Sequence, residues 1–353
     1  MQQPLGYVKC DSNGTPFVCH LKKALYRLRQ ALRAWFEKLK QFLISIGFVG
    51  SNFDASLFVR IKSGSTFYVL VYVDDIIITR SLTIVIDWFV RLLNDKFLLK
   101  DMGDLHYFLG IEVTHSSESQ HLCQKKYIRD ILDQCSMTDA KSVHTLMVSS
   151  STMSKDDGEC LEDPIEYRSL AGELQYVILT QPDIAYAVNR VCQFMHNPTT
   201  VYMVALKRSC SICMALLSLG FFFVHLLDCL WLDMSMPTGT KYRSLAGATN
   251  EVTWLLSLFQ ELQVKSDDTP IVWCDNSSAV AVAANPMLNS KFKHVELDMF
   301  FVREKVADGS VLVGEVPTCD QVADVFTKPL SVTSFTRFRN LLQVFPVGKM
   351  GEC

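Results

Sequence analysis

FYVLVYVDDIIITR, residues 67–80, sets two adjacent carboxylates, Asp74 and Asp75, between two runs of nearly pure β-forming residues. Upstream, SLFVRI (56–61), KSGS (62–65) and TFYVLVYV (66–73) read as strand, turn, strand, and IIIT (76–79) reads as the returning strand. The two aspartates therefore belong at a hairpin tip. Like charges side by side repel, and on an apolar hairpin they cost folding energy unless a cation offsets them. Magnesium suits such a pair because it takes oxygen ligands and keeps water or phosphate in its shell. A solvated turn is the plainer alternative. Neighbours on a strand point to opposite faces, so a metal site also needs a further carboxylate from another strand.

Working outward, the apolar residues Leu21, Leu25, Leu28, Leu32, Trp35, Leu39 and Phe42 recur at steps of four and three, which predicts a helix over 21–46 ended by Gly47. Its other face carries Lys22, Lys23, Arg27, Arg29, Arg33, Lys38 and Lys40 against the single acid Glu37. That stripe fits a phosphate backbone, and equally an ordinary solvated face. The net charge of −3 conceals it. A helix over about 81–94, a strand pair in YFLGIEVTHSSESQHLCQ (107–124) and a helix in KKYIRDILDQCSM (125–137) follow. Further helices are expected in PIEYRSLAGELQYVIL, in PDIAYAVNRVCQFMHN and from Tyr242. The strand PIVWCD (270–275), a small-residue helix, a helix through KHVELDMFFVREKVADG, the strand VLVGEVP and a helical tail close the chain.

With 353 residues, 49% hydrophobic and 20% charged, the chain is long enough for about two globular domains and too apolar to be mainly disordered. Twelve cysteines without framework spacing, and no leader pattern, point to a reducing cytoplasmic or nuclear compartment. Cys210 and Cys213 form one CxxC with no second pair to complete a zinc site. SICMALLSLGFFFVHLL (211–227) holds 17 residues whose only ionisable groups are Cys213 and His225. That length reaches the lower bound for a membrane span, but the flanks lack anchors. A buried segment is expected, with no membrane partner.

YVDDIII resembles the active-site hairpin of reverse transcriptases. KALYRLRQALRAWFEKL, DASLFVR, KDMGDLHYFLGIEV, YRSLAGELQY and QPDIAYAVNRVCQFM resemble, in order, the copia-type retrotransposon Pol polyprotein of plants. VWCDNSSAVAVAANP, SKFKHVELDMFFVREKV and DQVADVFTKPL resemble the ribonuclease H domain that follows in that polyprotein.

The resemblance implies an α+β and α/β chain. Its expected parts are a partial reverse-transcriptase palm and thumb at 1–143, a linker at 144–163, connection helices at 164–208, an aberrant apolar segment at 209–240, a ribonuclease H-like domain without its first strands at 241–330, and a tail at 331–353. It implies RNA template, DNA primer and RNA:DNA hybrid as partners, with Mg2+ as cofactor. Asp74 and Asp75 take the roles of catalytic metal ligands, Asp275 that of a ribonuclease H metal ligand, and either Glu296 or Asp298 that of a helix-borne acid. Lys22, Lys23, Arg29 and Arg33 are the nucleic-acid-binding candidates, and Tyr107–Val113 matches the strand that holds the primer end.

Two departures are expected to leave both activities lost. The family's third polymerase aspartate comes from a strand ahead of a segment like MQQPLGY, so the palm is expected to be truncated. The ribonuclease H pattern breaks over 209–240, and Lys241 stands where a glutamate belongs. The alternative reading is a non-catalytic nucleic-acid-binding module built on helix 21–46.

Overall fold

The computed structural model describes residues 3, 6–18, 20, 29–62, 65–80, 86–116, 119–137, 158–217, 219–223, 241–264, 268–284 and 296–346. Two compact units emerge: Met1–Asp101 with Gln260–Val264, and Met102–Phe259 with Lys265–Cys353.

The first unit pairs two helices, α1 (Arg29–Ser45) and α2 (Ile86–Phe97), with an antiparallel sheet in sequential order: β1 (Val49–Gly50), β2 (Leu57–Lys62), β3 (Ser65–Tyr72) and β4 (Asp75–Arg80). Along β3 every second side chain, Ser65, Phe67, Val69 and Val71, is buried, which is the period-two signature of a sheet with one face on the core. That face meets Leu39 and Leu43 of α1, Phe48, Phe58, and Phe89 and Leu93 of α2. The helix stripe is rotated from the sequence expectation. Leu32 is exposed, whereas Leu43, four residues beyond Leu39, is fully buried. Packing follows the i, i+4 row that the sheet covers, and Leu32 lies beyond it. Gly47 (φ +91°) stops α1 in a Schellman arrangement: Phe48 N–H donates to Leu43 O at 3.0 Å and Gly47 N–H to Ile44 O at 3.0 Å. Residues 21–28 of the expected helix lie outside the described residues.

In the second unit, β5 (Tyr107–Phe108), β6 (Ile111–His115) and β7 (Gln120–Cys123) form a meander, followed by helices α3 (Lys125–Gln134), α4 (Ile165–Val177), α5 (Ala185–Cys192) and α6 (Thr200–Leu216). The apolar run at 211–227 is not one element. It finishes α6 and then becomes β8 (Leu219–Phe223), inserted between β7 and β11 (Val344–Pro346) in a five-stranded antiparallel sheet ordered β11-β8-β7-β6-β5. Among the described residues no helix is long and apolar enough to cross a membrane. Leu219–Phe223 thus has a strand neighbour on each side, in keeping with the β propensity of three successive phenylalanines. Residues 224–240 lie outside the described residues.

A helical core unites Ile128, Tyr167, Leu170, Leu174, Val188, Tyr202 and Leu206 with Phe335 and Phe338 of α10 (Val332–Leu341). A smaller core joins α7 (Lys241–Glu261), β9 (Ile271–Cys274), α8 (Ser277–Ala284), α9 (Glu296–Ala307) and β10 (Leu312–Glu315) through Leu245, Val252, Val272, Ala279, Ala283, Met299 and Val302. β9 and β10 are parallel, with Leu312 opposite Ile271, and α8 and α9 supply the crossover that parallel strands require. The chain is α+β in class.

Candidate functional site

The hairpin tip is built by register. Tyr72 pairs with Asp75 as the last rung of β3 and β4, which leaves Val73 and Asp74 as a two-residue loop. Asp74 is therefore a turn residue, so its direction is set by the turn and the opposite-faces rule for neighbouring strand residues does not apply to it. Two-residue hairpin loops want positive φ at their first position. Val73 supplies it at φ +50°, a region a β-branched residue avoids. Asp74 and Asp75 are both exposed, and among the described residues neither joins an ion pair. Behind them, Ile76 and Ile78 pack against the core of the first unit and hold β4 in place.

The strained turn has a measurable consequence. Val73→Gly removes the steric cost and is expected to stabilise the hairpin by about 1 kcal/mol. Slower amide exchange along β3 and β4 is the readout, and unchanged or faster exchange would show that the turn stores no strain.

Carboxylate oxygens are the donors a magnesium ion prefers, but two are too few for a two-ion centre. Among the described residues no group of three or more His, Cys, Asp or Glu side chains is placed to hold a metal. Among the described residues the donor type fits the implied ion and the donor number does not.

Of the basic candidates, Arg33 is exposed on α1, as is Lys38 further along the helix. Arg29 is the first described residue of α1, and Lys22 and Lys23 lie outside the described residues.

In the second unit Asp275 sits half-buried at the C-terminal end of β9. The next residue anchors the helix that follows: Asn276 Oδ1 accepts from Ser278 Oγ at 2.6 Å and from Ser278 N–H at 3.2 Å. Strand end and helix cap together fix the backbone at Asp275. Asp298, on α9, already has a cation beside it, since Arg243 Nε lies 3.6 Å from its Oδ2. Glu296 is the first residue of α9. Sequence reading missed Arg243, which comes from α7 and is separated from Asp298 by more than fifty residues.

The β5–β6 turn shows a second missed partner. Leu109 (φ +49°) and Gly110 (φ +78°) form its two-residue loop, and the Tyr176 hydroxyl donates to Leu109 O. Tyr176 stacks edge-on against Tyr127 at 5.2 Å. A Cβ on Gly110 would lie 3.5 Å from the Tyr176 ring, in contact, on a backbone that only glycine adopts freely.

Comparison with known proteins places the sequence. Residues 1–149 match the family model described as reverse transcriptase (RNA-dependent DNA polymerase). Across 98% of its length the chain is 37% identical to the retrovirus-related Pol polyprotein from transposon RE2, and 38% identical to that from transposon RE1, both of Arabidopsis thaliana. Identity is 27%, over 97% of the chain, to the corresponding polyprotein from transposon TNT 1-94 of Nicotiana tabacum, of which the chain covers 29%. No solved structure matches significantly. The chain spans about a quarter, 26%, of the length of the two Arabidopsis relatives. It belongs to the copia-type retrotransposon Pol polyprotein family, as a reverse-transcriptase-related chain.

Proposed function

We propose that this chain carries part of an RNA-directed DNA polymerase, with Asp74 and Asp75 as its metal-binding carboxylates, followed by a ribonuclease H-like segment over 241–330 in which Asp275 is the strand-end acid. We further propose that neither centre is catalytically competent in this chain. The observation that carries the reading is the strained two-residue turn with both aspartates exposed at its tip, inside the region matched by the reverse transcriptase family. The inertness reading draws on the described residues, among which no third His, Cys, Asp or Glu is placed with Asp74 and Asp75 to hold a metal, and on Arg243, whose Nε lies 3.6 Å from Asp298 Oδ2. RNA template, DNA primer and RNA:DNA hybrid are the partners this reading assigns, and Mg2+ is the ion the polyprotein would use.

Primer extension on an RNA template and cleavage of an RNA:DNA hybrid, both with Mg2+, test it. The expected result is product no greater than that of Asp74→Asn and Asp275→Asn, since removal of a metal ligand abolishes a reaction only where the reaction occurs. Magnesium-dependent extension or cleavage by the parent chain, lost in the matching variant, refutes inertness and leaves the family roles standing.

A second reading, retention of nucleic acid without catalysis, draws on the exposed Arg33 and Lys38 of α1. If Arg33 contacts a phosphate, Arg33→Ala lowers the slope of log affinity against log salt by about 1. An unchanged slope rules out that contact.

A further inference from the structure

Residues Gln260–Val264, where α7 ends, belong to the first unit, although Glu261 stands 210 positions along the chain from Ser51, which it touches. A carboxylate at a helix C-terminus faces the negative end of the helix dipole, and α7 has no basic residue in its last turn to offset it. The compensation comes from the loop between β1 and β2. Glu261 Oε2 accepts from Ser51 Oγ at 2.9 Å, and its Oε1 accepts from Asn52 N–H at 3.0 Å. Ser51 Oγ in turn accepts from the N–H groups of Phe53 at 3.0 Å and Asp54 at 3.1 Å, so one carboxylate holds a whole turn. That loop also backs the hairpin, since Ser56 O accepts from Val71 N–H at 2.9 Å, two residues before Val73. The helix end is satisfied from the same unit. Gln263, at φ +54°, turns the chain out of α7, and the Tyr68 hydroxyl of β3 donates to Leu262 O, a carbonyl past the last helical turn.

Val59 shows what the segment covers. It pairs with Tyr68 across β2 and β3, so the two share a face, opposite to the one on which Phe67, Val69 and Val71 meet the helices. On a sheet whose second face is open Val59 would be exposed, yet it is buried, at 6%. Val49, its partner in β1, is 70% exposed, and Ile61, two residues further along β2 on the same face, is 49% exposed. The cover is therefore local, and it lies where Leu262 meets Tyr68.

We propose that Gln260–Val264 is an intramolecular strap, anchored by the Glu261 carboxylate, that closes the outer face of the sheet carrying Asp74 and Asp75 over Val59. The two hydrogen bonds to Glu261 and the one from Tyr68 are its fastenings, and release of the strap frees the β1–β2 turn, the Leu262 carbonyl and Val59 together. The sheet thus takes one of its two covers from beyond residues 1–149, the stretch that matches the reverse transcriptase family. Its role is the same whether or not either family centre is catalytically competent.

The test uses the full chain and two variants, Glu261→Ala and Tyr68→Phe, with circular dichroism to confirm that each is folded. Asn52 N–H is bonded to Glu261 itself, and Gln263 N–H to Gln260 O at 3.1 Å, so these two amides report on the strap. Their exchange should become about tenfold faster in Glu261→Ala, and that of Gln263 should also rise in Tyr68→Phe, while the amides of α8 and α9 keep their rates. Alkylation mapped by mass spectrometry reads the cover directly. Val59→Cys should react slowly in the parent background and about tenfold faster when combined with Glu261→Ala, whereas Ile61→Cys should react fast in both. Unchanged exchange at Asn52 and Gln263, an equal rise through α8 and α9, or Val59→Cys as reactive as Ile61→Cys in the parent background overturns the proposal.

Discussion

Phe67→Ala should cost the first unit about 3–5 kcal/mol, the range for emptying a fully buried aromatic site. Phe67 is 1% exposed in β3 and is flanked edge-on by Phe48 at 5.5 Å and Phe89 at 5.0 Å. The Arg60 guanidinium lies 5.5 Å from its ring centre, so truncation removes a cation–π contact together with two aromatic pairs. Those partners come from the loop after α1, from α2 and from β2, and Phe48 and Phe89 also pair with each other at 5.4 Å, so one truncation opens a gap in a connected ring cluster. Domains are stable by only about 5–15 kcal/mol, so the loss consumes a large part of the margin. Fast amide exchange through β3 and β4, with the hairpin tip released, is the expected readout. A loss below about 1 kcal/mol would mean that the ring cluster does not organise the sheet that carries Asp74 and Asp75.

A second large effect is expected from pH. Asp183, just before α5, is completely buried, and neither carboxylate oxygen has a partner within hydrogen-bonding geometry. Burial pushes its pKa from 3.8 up to about 6, opposed by Arg339 and by the backbone N–H groups of Asp183 and Ile184. Burial, and after it the nearby Asp183 carboxylate, push the Cys213 thiol up. A carboxyl whose folded pKa is raised holds its proton more tightly folded than unfolded. Its contribution to stability is full below the unfolded value and is lost as pH rises through about 6. Two pKa units correspond to about 3 kcal/mol in all, part of which is already lost at pH 4.5, above the unfolded value, so the second unit should resist urea better at pH 4.5 than at pH 7.5 by about 2 kcal/mol. Asp183→Asn should flatten the dependence. Arg339→Met, which removes the opposing charge, should move its midpoint upward. Equal stability at the two pH values in the parent chain would show that Asp183 does not titrate in this window.

The β-rich runs around Asp74 and Asp75 were legible because strand and turn preferences act over a few residues. The helices α4 and α5 were legible for the same reason, and Gly47 marked the end of α1 where its positive φ is needed. Other features depended on distant partners. Val344–Pro346 is a three-residue edge strand ending in proline, tolerable there because an edge strand has a free hydrogen-bonding side, and nothing local distinguishes it from a tail. Arg243 beside Asp298 and Tyr176 on Leu109 join positions more than fifty residues apart, beyond the reach of any periodicity.

What the chain wrote locally was the pair of strands on either side of the two carboxylates, since alternation and β propensity specify them without outside help, even though Val73 is a poor residue for the turn between them. Only tertiary packing decided that the apolar run at 211–227 ends one helix and starts a strand, and which cation stands beside Asp298. A uniformly apolar stretch has no period to choose between helix and sheet, so its neighbours choose for it.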